Sequence, residues 1–196
     1  MAIAPTYPWI RRVVDDKIFW TKNVPSDGDC MFTVMAYIAN ECMFRCNFDA
    51  TMMRLLSASR ITESTFKDDL AILMGEEPQH HTVLSKCQNH SDLRLLVMKP
   101  RLIYGNHLLL RNLMISWREY FEPNFGIVIF HNANHNYLTM PEDIYAFDKL
   151  SFMLFDGMHY QNLGFMYNDH IRTVFTKNQL HLNMISVPLN RDEDDE

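Results

Sequence analysis

The residues best suited to chemistry lie in the stretch Pro25-Ser26-Asp27-Gly28-Asp29-Cys30-Met31-Phe32. A polar Asp-Gly-Asp loop ends on Cys30, and the residues from Met31 to Ala39 are apolar except for Thr33. A helix that is apolar nearly all round belongs inside a domain, so Cys30 is predicted to begin a buried helix. The unpaired N–H groups and dipole of such an N-terminus favour a thiolate, the nucleophilic form, and can hold an oxyanion. A buried cysteine that serves only for packing, which is the common case, does not need to follow a polar turn.

A cysteine nucleophile needs a base that takes its proton and later protonates a leaving amine, and histidine does both near neutral pH. Most of the nine histidines lie in polar stretches or loops. His159 differs, because it follows a predicted buried strand over 151–155 and the hairpin signal Asp156-Gly157. Such a position is rigid and close to a rim, which makes His159 the candidate base.

Length and composition limit the class of protein. At 196 residues the chain is expected to form one domain over 1–190, followed by a disordered acidic tail over 191–196. The net charge of −6 argues against general nucleic-acid binding and permits a basic protein partner. No apolar run approaches the roughly 20 residues that span a bilayer, and no signal peptide is evident, so a cytoplasmic protein is expected. Four cysteines without a secretion signal indicate free thiols.

The hydrophobic pattern predicts an α+β fold, in which helices cover a small β-sheet. Ile10, Val13 and Val14 fit a helical stripe, whereas 18–20 could either begin a strand or extend that helix. A helix that contains the apolar residue Leu73 is expected to end at a C-cap near Gly75. The further predicted helices span 30–40, 50–58, 92–98 and 107–120, and the predicted strands span 125–130, 151–155 and 182–189.

Cysteine and histidine spacing gives little support to a metal site. Cys42 and Cys46 lie four apart, and Cys87 lies near His80 and His90, but neither set has the paired close spacing of structural zinc sites. No metal and no cofactor are therefore expected.

The order of these parts resembles the ovarian-tumour (OTU) family of deubiquitinating cysteine proteases. Asp27-Gly28-Asp29-Cys30-Met31-Phe32 resembles the cysteine motif of the family, which is Asp-Gly-(Asn/Asp)-Cys, an apolar residue, then Phe or Tyr. Tyr104-Gly105-Asn106 and the helix after it look like the Trp-Gly-Gly segment, the run 125–130 looks like the next strand, and 152–160 looks like the final strand with its His-aromatic pair. The resemblance covers residues 20–166.

The resemblance implies an OTU-like cysteine protease fold with Cys30 as nucleophile and His159 as general base. It implies that Asp27 shapes the loop and that Gly28 and Asp29 lie in the loop that forms the oxyanion hole. The implied reaction is hydrolysis of isopeptide bonds after the C-terminus of ubiquitin or a ubiquitin-like modifier, through a thioester. The implied partners are that modifier and its conjugates, without nucleic acid or membrane, and the chain is expected to be a monomer.

One position departs from the family pattern. The family places Asp or Asn two residues after the histidine to orient the ring, whereas this chain has Gln161 there. Gln161 or the next residue, Asn162, could orient His159, although a strand would direct Asn162 to the other face. Some family members take the acid from before the cysteine, which brings in Asp15 or Asp16. The alternative function is therefore a weak or inactive OTU-like ubiquitin-binding module. A viral or bacterial source would place the protein in a host cytoplasm.

Overall fold

The computed structural model describes residues 8–14, 17–43, 46–76, 78–131, 137–140 and 147–180. Their strands are β1 (Trp9–Val14), β2 (Lys17–Lys22), β3 (Phe125–His131), β4 (Tyr137–Met140), β5 (Lys149–Phe155), β6 (Tyr160–Tyr167), β7 (His170–Arg172) and β8 (Val174–Thr176). Their helices are α1 (Cys30–Cys42), α2 (Ala50–Ala58), α3 (Phe66–Glu76), α4 (His81–Leu84), α5 (His90–Met98), α6 (His107–Tyr120) and α7 (Lys177–Leu180), with a 3-10 turn at Pro78–His80. The predicted α+β fold class is confirmed.

Helix α1 forms the centre of the helical layer. Eight of its side chains, including Cys30, are buried, as the continuous apolar run predicts. Helix α2 packs against α1, α5 and α6, and α1 packs against β6. The N-terminus of α1 therefore lies between the helical layer and the sheet.

Side-chain caps begin three of the helices, because Asp and Asn satisfy N–H groups that have no partner within the helix. The carboxylate of Asp49 accepts from the N–H of Met52 at 2.8 Å at the start of α2. The side chain of Asn106 accepts from the N–H of Leu109 at 3.0 Å and begins α6, and Asn89 caps α5. The predicted end of the third helix near Gly75 is confirmed, since α3 ends at Glu76, but Gly75 lies within the helix without a positive φ angle and is not its C-cap.

The sheet has the strand order β1-β2-β6-β5-β3-β4, with β7 paired to β6 and β8 paired to β5. Strands β3 and β5 are parallel, and the other pairs are antiparallel. Residues 156–159 connect β5 to β6, and Gly157 has a φ angle of +101°, a conformation that glycine adopts without strain. The predicted hairpin at this position is confirmed, and it places His159 directly before β6.

The helix predicted near the N-terminus is wrong, because β1 and β2 form an antiparallel hairpin there. Strand β2 also pairs with β6, with Trp20 opposite Gly164. Three of the apolar residues of β1, Ile10, Val13 and Val14, are β-branched, which suits a pleated surface better than a helix. The pairing of β2 with β6, a strand far along the chain, favours strand over helix in this region. A local pattern of apolar residues gives no information about such a pairing.

Several sequence predictions concern residues outside the described ranges. They are the carboxylates Asp15 and Asp16, the strand at 182–189 and the acidic tail at 191–196. Within the described ranges, every helix is too short or too polar to cross a membrane.

Candidate active site

An open groove of about 1020 Å³ runs over the N-terminus of α1. One side consists of loop residues, which include Gly28 and Tyr104, together with the start of α6 at His107 and the end of α3 at Glu76. The other side comes from the strands β3, β5 and β6 and the turn between the last two. Cys30 lies in the groove wall between them, so a peptide bound in the groove would pass beside the sulfur.

Cys30 is a buried thiol whose sulfur meets backbone N–H groups. Burial raises the pKa of the Cys30 thiol and is the largest effect on it. Hydrogen bonds from the backbones of Tyr160, Met31 and Cys30 itself lower this pKa, and the charge of Asp27 raises it. The N–H groups at the helix start therefore oppose the rise in pKa, as expected, but burial outweighs them and favours the thiol over the thiolate.

The backbone of Tyr160, the residue after His159, is a hydrogen-bond partner of the Cys30 sulfur, so the start of β6 lies next to that sulfur. The turn is held by Asp156, whose Oδ1 accepts from the N–H of Met158 at 2.9 Å and from that of His159 at 2.7 Å. The N–H of Asp156 donates to the His159 carbonyl oxygen at 3.2 Å. His159 is only 9% exposed. Its Nδ1 atom has no hydrogen-bond partner in the described part of the chain.

The loop before Cys30 is held by its own aspartates. Oδ1 of Asp27 accepts from the N–H of Asp29 at 3.1 Å, and Oδ2 of Asp27 pairs with Nη2 of Arg101 at 3.0 Å. Gly28 has a φ angle of +86°, and a Cβ atom there would lie 2.6 Å from the ring of Tyr104. The loop is thus shaped by a side-chain turn on one side and by an aromatic ring on the other.

Arg54 of α2 supports this loop from beneath, and sequence reasoning missed it. The side chain is fully buried, and its Nε donates to Oδ1 of Asp29 at 2.6 Å. Burial lowers the pKa of Arg54, whereas the hydrogen bond and charge of Asp29 and the charge of Asp27 raise it. The sequence does contain one indication that Arg54 is buried: on a helix it lies on the same face as the small residues Ser57 and Ala58.

The two candidates for orienting the histidine have different surroundings. Gln161 donates from Nε2 to Oδ1 of Asn23 at 3.5 Å, and its Oε1 is buried without a partner among the described residues. Asn162 is 1% exposed, and its Oδ1 is likewise unpaired there. Alternation along β6 puts Asn162 on the face of Tyr160 and Gln161 on the opposite face.

Two histidines, His107 and His131, line the groove. His131, expected to lie in a loop, ends β3 and contacts the ring of Phe155 edge-on at 5.2 Å between centroids. Within the described ranges, no group of three His, Cys, Asp or Glu residues is close enough to hold a metal ion.

Comparison with solved structures shows the fold. An OTU domain solved in complex with ubiquitin matches 83% of this chain and 77% of its own, with 20% sequence identity and a TM-score of 0.53. The chain therefore has the fold of OTU domains, and the predicted resemblance is confirmed at the level of the fold.

Other OTU domains give lower scores. The viral OTU domain protease from Dera Ghazi Khan virus is 17% identical over 81% of this chain and 87% of its own, with a TM-score of 0.44. An OTU deubiquitinase from Wolbachia pipientis wMel, bound to ubiquitin, is 9% identical over 79% of this chain and 98% of its own, with a TM-score of 0.45. No protein-family model matches the chain, and no curated protein matches it by sequence.

Proposed function

We propose that this protein is a cysteine-type deubiquitinase, a thiol protease that removes ubiquitin or a ubiquitin-like modifier from its conjugates. The observation that carries the proposal is that Cys30, at the start of α1, and the two residues that flank His159, Met158 and Tyr160, line the same groove. This open groove lies in an OTU fold. A structure of that fold holds ubiquitin, which supports the same partner here.

The raised pKa of Cys30 defines how the reaction begins. Because the resting residue is a thiol, His159 takes the sulfur proton as the sulfur attacks the carbonyl carbon of the isopeptide bond. The carbon–nitrogen bond then breaks, and the same proton passes from His159 to the leaving lysine amine. A water molecule, deprotonated by His159, hydrolyses the thioester and restores the thiol.

The oxyanion of this reaction needs N–H donors near the sulfur. The backbones of Cys30, Met31 and Tyr160 already hydrogen-bond to that sulfur, so they are the nearest donors. The N–H of Asp29 instead donates to Asp27. Gly28 and Asp29 thus act by shaping the loop, while the first turn of α1 supplies the donors.

Gln161 is proposed to orient the histidine. It lies two residues after His159 along an extended chain, which favours the same face. Its amide nitrogen donates to Asn23, so its carbonyl oxygen remains as an acceptor. Both that oxygen and Nδ1 of His159 lack partners among the described residues, and a bond between them would satisfy both.

The test is reaction of the purified chain with ubiquitin that carries a C-terminal electrophile, followed by intact mass. The expected result is one ubiquitin adduct in the wild type, none in Cys30→Ala, and strongly slowed capture in His159→Ala. The matched control is Cys46→Ala, because Cys46 is exposed and does not line the groove. An adduct that survives Cys30→Ala would overturn the proposal. Capture only by the probe of another modifier would change the substrate and keep the mechanism.

The second candidate function is an inactive or weak ubiquitin-binding module. The unpaired Nδ1 of His159 favours it, because a histidine without an orienting partner is a poor base. This function predicts ubiquitin binding without covalent capture. Cytoplasmic location and a monomeric state belong to the same proposal and are tested by cell fractionation and by sedimentation.

A further inference from the structure

Arg54 contacts two loops beside the groove: the nucleophile loop, residues 26–29, and the segment 103–106. Its Nη2 donates to the carbonyl oxygen of Gly28 at 3.0 Å and to that of Ile103 at 2.9 Å. Gly28 lies two residues before Cys30, and Ile103 directly precedes Tyr104. Nη2 of Arg54 therefore sets the distance between the nucleophile loop and the segment 103–106.

The rest of the side chain fixes that nitrogen in space. Nε donates to Asp29 at 2.6 Å, and Nη1 donates to the carbonyl oxygen of Val97 at the end of α5, at 2.8 Å. The guanidinium lies over the ring of Phe32 at 4.3 Å from its centroid. Because the guanidinium is planar and rigid, these contacts leave little freedom to the groups that it holds.

Stability alone does not explain a buried cation at this place. Removing a charge from water is costly, and well-packed apolar residues often stabilise a protein as well as a buried ion pair does. The bonds of Arg54 to Gly28 and Asp29 act on the two residues directly before the nucleophile. Its bond to Ile103 acts on the start of the Tyr104-Gly105-Asn106 segment.

We infer that Arg54 is a positioning residue, which holds the nucleophile loop and the 103–106 segment in the register that presents Cys30 to substrate. The inference deepens the proposed function and rests on it. Arg54 does not line the groove, and it acts only through the groups that it binds.

Arg94 provides a matched control. Its Nε donates to the carbonyl oxygen of Ile61, and its Nη2 donates to that of Ser59 at 3.0 Å, beyond the C-terminus of α2. It thus ties α5 to backbone carbonyl groups that follow α2, as Arg54 ties α2 to other backbone carbonyl groups, but away from the groove. Lysine keeps the charge at either position but lacks the planar guanidinium, whose several N–H groups bind different acceptors at once.

The first measurement is hydrolysis of ubiquitin with a C-terminal fluorogenic amide by wild type, Arg54→Lys and Arg94→Lys, below their melting temperatures. Arg54→Lys is expected to lower kcat on the order of 10²-fold, because small misplacements of reacting groups have effects of this size. Its KM should change less than about threefold, since the groove surface is retained. Equal kcat values in the two variants would overturn the inference.

The second measurement, amide hydrogen exchange, does not require ubiquitin. Arg54→Lys should speed exchange together in the peptides that cover 26–31 and 102–106, whereas Arg94→Lys should speed it near 59–61. A rise spread over the whole chain, or a rise in only one of the two peptides, would overturn the inference. If wild type leaves ubiquitin intact while this pattern appears, the proposed function fails and the positioning role stands.

Asp29→Asn keeps the inference testable if Arg54→Lys does not fold. This change removes the charge that faces the guanidinium but keeps an oxygen that can accept from Nε. The expected result is a smaller fall in kcat and a smaller rise in exchange in the same two peptides. A folded Asp29→Asn protein with wild-type values for both would contradict the inference.

Discussion

The nucleophile loop and the histidine turn flank one groove but are held in different ways. The nucleophile loop is bound by a buried guanidinium, by its own aspartate turn and by an aromatic ring. The histidine turn depends on one exposed carboxylate, that of Asp156, and the His159 ring has an unpaired Nδ1 within the described chain. The nucleophile half of the candidate site is therefore preorganised, whereas the histidine half leaves Nδ1 of His159 without a hydrogen-bond partner among the described residues.

The difference shows where activity can be lost and where it can be gained. Changes in the nucleophile half disturb contacts that are already made, so they are expected to cost stability and activity together. Changes in the histidine half can add a missing hydrogen bond, so they can raise activity.

Gly105→Ala should give the largest effect and should break the preorganised half. A Cβ atom at Gly105 would lie 2.4 Å from the Cβ of Met31, the residue next to Cys30 on α1. Because that neighbour is fixed to a buried helix, the clash is expected to lower the free energy of unfolding by about 2 kcal/mol. Urea denaturation measures the change, and ubiquitin capture should slow with it.

Gly75→Ala is the control for Gly105→Ala. A Cβ atom at Gly75 meets no heavy atom within 4 Å. Alanine in this last turn of α3 is expected to raise the free energy of unfolding by about 0.5 kcal/mol. A Gly105→Ala protein as stable as the control would show that the 104–106 segment is not packed tightly on α1.

The preorganised half was only partly predictable from the sequence. The continuous apolar run from Met31 to Ala39 defines a buried helix locally, and an Asp-Gly pair defines a hairpin, so α1 and the β5–β6 turn were predicted. The supports of the loop come from elsewhere, since Arg54 and Arg101 lie far along the chain from Asp29. No local pattern links such residues, and the pairing of β2 with β6 was missed for the same reason.

Gln161→Asp tests whether the histidine half can be completed. A carboxylate two residues after His159 accepts from Nδ1 and stabilises the imidazolium that forms during catalysis. The expected result is a rise in kcat of about tenfold, which corresponds to about 1.4 kcal/mol of transition-state stabilisation. Gln161→Leu, which has no acceptor, should lower kcat. Equal rates in the two variants would mean that position 161 does not orient the ring.

Asp156→Ala removes the side-chain hydrogen bonds that support the histidine turn. Oδ1 of Asp156 accepts from the N–H groups of Met158 and His159, and alanine leaves both without that acceptor. Because the turn is exposed to water, the expected loss in the free energy of unfolding is about 1 kcal/mol. Asp156→Asn, which keeps an accepting oxygen, should lose less. Thermal unfolding and kcat of both variants are compared, and an Asp156→Ala protein with wild-type kcat would show that the turn is held by its strands alone.

Arg101→Ala should have the smallest effect, although Arg101 pairs with a residue of the nucleophile loop. Its side chain is 68% exposed and that of Asp27 is 27% exposed, so water and salt screen the pair. The N–H of Arg101 donates to Oδ1 of Asp29 at 3.2 Å, and alanine retains this backbone bond.

The expected loss in stability is about 0.5 kcal/mol or less at low salt, and it should vanish near about 0.5 M salt. Urea denaturation at both salt concentrations, with Arg101→Lys as the charged control, measures it. A larger loss that salt abolishes would mean that the surface pair, and not only the buried guanidinium of Arg54, holds the loop.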